Sequence, residues 1–98
     1  MRPNMVRIGA LEYSVVNESD EANYGNTDIG HLRISVDPKL PEIRQRETLL
    51  HEVLHAVTDR YLADDVDERV VRQLSAGLID WMVSNPDALS WVGGLDGP

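Results

Sequence analysis

TLLHEVLHAV, residues 48–57, places His51 and His55 four positions apart, with Glu52 beside the first of them. Residues four apart are neighbours on one face of an α-helix, so two imidazoles spaced this way can take two corners of a tetrahedral Zn²⁺. Glu52 cannot easily chelate with them, but it reaches the remaining coordination position. There its carboxylate would take a proton from a water on the ion and pass it to a leaving amine. That is the mechanical content of the H-E-x-x-H pattern. The residues around the three are uncharged and mostly apolar, as a buried metal helix requires, and two of the three histidines in the chain are used here. The bland alternative is a helix whose two His are exposed or hydrogen-bonded and hold nothing.

Working outward, Pro41 and Glu42 suit the first turn of this helix, where Pro has a pre-set φ and a carboxylate favours the dipole. The helix is predicted to run to about Tyr61, with an apolar stripe of Ile43, Leu50, Leu54, Val57 and Tyr61 and with Val53 at its margin. A second helix is predicted from near Val66, burying Val70, Val71, Leu74, Leu78, Trp81 and Met82, and stopped by Asn85-Pro86. Before the metal helix, MVRIGALEYSVV (5–16) reads as one bent strand or a short hairpin reversing at Gly9. NESDEAN (17–23) has the composition of a surface loop. In YGNTDIGHLRISVDP (24–38), Leu32, Ile34 and Val36 alternate with His31, Arg33 and Ser35, which predicts a half-buried strand ended by Asp37 and Pro38. The tail, WVGGLDGP, is Gly-rich and expected to fray. The expectation is a single α+β domain over 1–98, β-rich in 1–38, helical in 41–90 and flexible in 92–98. It comprises a small antiparallel sheet of about three strands, the HExxH helix and a second helix packed on it.

Composition limits what the motif can mean. Ninety-eight residues make one domain with one modest core. With five aromatic residues and no Phe, that core is aliphatic. Without Cys there is neither a disulfide frame nor a thiolate cage, so any transition metal must be held by imidazole and carboxylate groups. A net charge of −8 repels a phosphate backbone and argues against nucleic acid as a partner. No stretch approaches a membrane span, and MRPNMVRIGALEYSVV has no long apolar h-region, so a cytoplasmic location and no membrane partner are expected.

A third ligand must come from outside the motif. His51 and His55 lie at the margin of their helix's apolar stripe, and Glu68 lies at the margin of the stripe on the second helix, so packing the two stripes brings these residues together. Against this, Asp65 followed three residues later by Glu68 resembles a capping box, which would occupy that carboxylate with backbone amides. Asp64 and Asp67 are the fallback ligands. His31 shares the polar face of its strand with Arg33, which suits an exposed or substrate-facing position more than a ligand.

TLLHEVLHAV matches the extended zincin consensus, and the layout as a whole resembles the small phage and prophage metallopeptidase-like proteins related to the ImmA/IrrE group. In these a short β-meander precedes the HExxH helix and a second helix carries the downstream acid. The likeness covers nearly the entire chain, from MVRIGALEYSVV through HEVLH to DERVVRQLSAGLIDWMVSNP. It implies a minimal zincin-like fold, zinc as cofactor, Glu68 as the acidic ligand, and hydrolysis of a peptide or protein substrate held by strand addition along HLRISV at the sheet edge. Thr58 and Tyr61 stand where metzincins carry their Gly and third His, and there is no thermolysin-type downstream motif, so those branches are set aside. Tyr24, Tyr61 and His31 are the candidates for stabilising an oxyanion. A reading from another class is a non-catalytic regulatory or interaction protein whose zinc site is structural or vestigial, closed by Asp64 or Asp67. A third is an interaction domain without metal.

Overall fold

The computed structural model describes residues 2–62 and 66–95. It is an α+β fold in which a four-stranded mixed sheet carries one long helix, and a second helix packs on the far side of the first. The sheet is larger than the three antiparallel strands expected, and one of its pairings is parallel. β1 (Met5–Ile8) and β2 (Leu11–Asn17) form a hairpin in register Met5↔Ser14 to Ile8↔Leu11, reversing at Gly9, whose φ of +62° is open to glycine at no steric cost. β3 (Gly25–Asp28) and β4 (Arg33–Val36) form a second antiparallel hairpin. β4 lies parallel to β2, which gives the order β1-β2-β4-β3.

The order corrects a second expectation. The HLRISV strand is not at the edge: β4 is interior, and the two edge strands are β1 and β3, of which β3, with sequence GNTD, is the one beside β4. An interior strand must bury apolar side chains, and Ile34 and Val36 are fully buried. β3 has no large apolar residue and so gives no hydropathy signal. It is held by its backbone ladder to β4 and by contacts to the helix above it.

Helix α1 (Glu42–Tyr61) lies across the sheet. Its Ala56 joins Ile8, Tyr13, Val15, Ile34 and Val36 in the core, and Leu49, Val53 and Val57 pack against that cluster. Its most buried line is Thr48, Glu52 and Ala56, one turn apart. The buried face is thus rotated from the predicted stripe, whose ends Ile43 and Tyr61 are 48% and 64% exposed. The reason is that α1 is covered on two sides, by the sheet and by the next helix, and polar Thr48 and Glu52 occupy the seam between them.

α2 (Glu68–Ser84) packs on α1 and on α3 and has no packing contact with the sheet. Val71 and Ser75 are buried, Leu78 and Met82 partly so. Val70, Leu74 and Trp81 are exposed, contrary to the predicted face, because only one flank of α2 meets another element. Asn85 ends α2 as predicted, and Pro86 then opens a further short helix, α3 (Pro86–Val92), from the first-turn position that Pro favours. Within the 92–98 tail, a hydrogen-bonded turn through Gly93, Gly94 and Leu95 closes α3, while 96–98 lie outside the described residues.

Candidate metal centre

The seam between α1 and the start of α2 gathers three side chains. His51 and His55 project from successive turns of α1, and Glu68 is the first residue of α2. Glu68 Oε1 lies 2.7 Å from His51 Nε2, Glu68 Oε2 lies 2.8 Å from His55 Nε2, and the two Nε2 atoms are 3.1 Å apart. The rings meet edge to face, with centroids 4.9 Å apart. The sequence-predicted ligands are therefore brought together.

This geometry is awkward for hydrogen bonding alone. Each Nε2 has one in-plane site, an N–H or a lone pair, yet each faces both a carboxylate oxygen and the other ring. A cation between them uses one lone pair from each nitrogen and one from the carboxylate. Zn–N and Zn–O bonds near 2.1 Å in a tetrahedron put ligand atoms about 3.4 Å apart, so the ion fits once the two imidazole–carboxylate contacts open by roughly two thirds of an ångström and the two nitrogens by about half that. The donor set of two imidazoles and one carboxylate suits zinc, and it leaves a fourth position open among the described residues.

Of the alternative ligands, Asp67 is the N-cap of α2, its side chain accepting from the Arg69 N–H at 2.7 Å, which makes Glu68 the first helical residue. That cap starts the helix at Glu68, two residues later than predicted, and directs the Glu68 carboxylate toward α1. Asp64 and Asp65 lie outside the described residues.

Glu52 is only 7% exposed. Thr27 on β3 holds it: Thr27 Oγ1 is 2.7 Å from Glu52 Oε1 and 3.0 Å from the Glu52 carbonyl oxygen, so its single proton is donated to Glu52 in either case. The close approach of β3 to α1 that this bond requires depends on Gly25. A Cβ there would lie 2.6 Å from Thr48 Cγ2 and 2.7 Å from the Ser35 carbonyl oxygen.

Two cavities, of about 630 and 470 Å³, flank this seam. One runs past His55, Thr58 and Asp59, the other past Thr48, His51 and Ser75. Both share Asn23, Gly25, Glu52, Glu68 and Arg72, so they are two arms of one groove between the β3 rim and α2. Thr27, Gly25 and Arg72 were not singled out from sequence as site residues. Gly25 was visible only as a turn residue, Thr27 carried no signal, and Arg72 could have been found four residues after Glu68, on the same helix face.

No family model, curated protein or solved structure matches the chain. The chemistry of the groove rests on the residues that line it.

Of the oxyanion candidates, His31 stands apart in the β3–β4 turn, 80% exposed and bonded through Nδ1 to Asp28 Oδ2 at 2.9 Å. That contact and the His31 N–H hold the Asp28 carboxyl below its ordinary value. Tyr61 stacks under the Arg60 guanidinium, near Gly9 on the β1–β2 turn. Tyr24 lines one arm of the groove.

Proposed function

We propose that the chain is a zinc-dependent, metallopeptidase-like hydrolase acting on a peptide or protein substrate in the cytoplasm. The observation that carries this is the convergence of His51, His55 and Glu68 within 3.1 Å of one another, with Glu52 in the same groove. The layout's resemblance to the zincin-like phage proteins supports the same reading.

His51, His55 and Glu68 would hold a zinc ion, which when bound would supply Lewis acidity to the site. Glu52 accepts the proton of the attacking water as the water oxygen bonds to the carbonyl carbon and the carbonyl π pair moves onto its oxygen. On collapse of the tetrahedral adduct the C–N bond breaks, and Glu52 returns the proton to the departing amine. Thr27 occupies Oε1 of Glu52 and so fixes the plane of the carboxylate. The β3 rim offers its outer backbone edge along the groove, so an extended substrate is held by strand addition on β3 and not on β4.

The reading that zinc is merely structural requires a fourth protein ligand. Asp67, one of the two proposed for that role, is engaged as a helix cap. Metal analysis of the wild type beside His51→Ala, Glu68→Ala and Glu52→Gln tests both readings. Stoichiometric zinc is expected in wild type and Glu52→Gln and is lost from the other two, while peptide hydrolysis is lost from Glu52→Gln alone among the zinc-retaining proteins. Undiminished turnover in Glu52→Gln would remove the general base, and zinc-free wild type would remove the site.

A further inference from the structure

Hydrolysis in this groove meets an electrostatic obstacle. Negative charge grows on the carbonyl oxygen as water adds, yet Glu47, Glu52 and Asp59 line the two arms, in a chain of net charge −8. Of the side chains that residue type alone suggests as a counterweight, His31 and Tyr61 line neither arm, and Tyr24 lines only one.

Among the described residues lining the groove there are two cations, Arg44 and Arg72. Arg44 lines only one arm and is paired with Glu47 at 3.0 Å. Arg72 lines both arms, so it stands where they meet. It lies one helical turn beyond Glu68, with Nη2 3.9 Å from Glu68 Oε1, beyond hydrogen-bonding distance, and its side chain is 69% exposed. The guanidinium therefore sits beside a proposed ligand atom, and among the described residues no hydrogen bond takes its N–H donors. Once the charge of Glu68 is drawn to a divalent ion, the pull of that carboxylate on Arg72 weakens, and a substrate lying in the groove removes water from around it. A guanidinium presents two parallel donors to an anionic oxygen, and fixed donors aimed at developing charge in a water-poor cleft lower the barrier more than they lower the energy of bound substrate.

Resting on the function proposed above, we propose that Arg72 is the electrophilic catalytic residue of this site, donating hydrogen bonds to the tetrahedral oxyanion that forms next to the ion. The ligand class it recognises is a tetrahedral oxyanion, for which inorganic phosphate is a stable probe that needs no turnover.

The test titrates zinc-loaded wild type, Arg72→Gln and Arg72→Lys with inorganic phosphate by calorimetry, with zinc content measured on the same samples. Arg72→Gln is expected to keep stoichiometric zinc and to bind phosphate about tenfold more weakly, as loss of a charge-assisted hydrogen bond implies. Arg72→Lys is expected to fall between, because an ammonium supplies a point charge without the planar fork. Equal phosphate affinity in wild type and Arg72→Gln overturns the role of Arg72 and leaves the metal site standing. So does failure of zinc-loaded wild type to bind phosphate at all. Loss of zinc from Arg72→Gln assigns Arg72 to holding Glu68 in place and overturns it equally. A wild type that takes up no zinc overturns the proposed function first, and this inference with it.

Discussion

Thr27 shows what a single hydroxyl does in this molecule. It is the hydrogen-bond partner of a carboxylate that α1 buries against the sheet side of the seam. Removing the hydroxyl leaves a buried charged group under-satisfied, which costs about 1–3 kcal/mol. Thr27→Val is therefore expected to lower the urea midpoint of the metal-free protein, and Thr27→Ser, which keeps the donor, is expected to restore most of it. Gly25 sets the distance at which that bond forms. Gly25→Ala forces a methyl against Thr48 and the Ser35 carbonyl oxygen, an overpacking of about 1–3 kcal/mol. Pairing it with Thr48→Ser recovers only part, because the backbone oxygen cannot be trimmed, and equilibrium unfolding of the single and double variants reads the difference. At this scale the meeting of His51, His55 and Glu68 was legible, the two imidazoles from their four-residue spacing and Glu68 from its place on a helix face. Thr27 was not, because no spacing rule links it to Glu52, 25 residues on. Arg72 was within reach, four residues after Glu68 on the same helix, and was passed over.

Elements were legible in proportion to how much apolar surface they bury. β4 and the β1–β2 hairpin announce themselves through Ile34, Val36, Val15 and the reversal at Gly9. GNTD does not, and missing it hid both the parallel β2–β4 pairing and the true rim of the sheet. Both long helices were found, but the buried face of α1 was rotated, since hydropathy weighs Leu50 and Leu54 above Thr48 and Glu52, whereas the seam holds the polar pair. The start of α2 turns on Asp67. Asp67→Ala is expected to cost about 1 kcal/mol, the usual value of an N-cap, while zinc content stays at the wild-type level. Loss of zinc would make Asp67 a ligand after all. The β3–β4 turn carries an acid-sensitive contact. Asp28 is held below the ordinary carboxyl value of 3.8 first by the His31 side-chain and backbone hydrogen bonds, with the charges of His31 and Arg33 adding. A carboxyl with a lowered folded-state value stabilises the fold above 3.8 and loses that contribution as pH falls through the lowered value. Asp28→Asn is expected to flatten the fall of the urea midpoint as pH drops below 3.8.

For the molecule as a whole, the α+β class and its order of sheet, long helix and packed helix follow from the chain's division into a β-rich first part and a helical remainder. No helix among the described residues is long and apolar enough to cross a membrane. An ion bound only by the folded chain adds stability by mass action. Zinc at a hundred times its Kd contributes about 2.7 kcal/mol, a rise of roughly 10–20 °C in Tm for a chain this short. A thermal scan with zinc and with excess chelator should show that shift in wild type and none in His51→Ala.

Among the described helices and strands α2 packs on α1 and α3, and the Glu68 carboxylate at its leading end reaches across to His51 and His55. A divalent ion there would act as a clasp at one end of a lever: it pins the first turn of α2 and leaves the Trp81 end to swing. Amide hydrogen exchange along that helix should then slow on zinc binding around Val71, with the effect fading toward Met82.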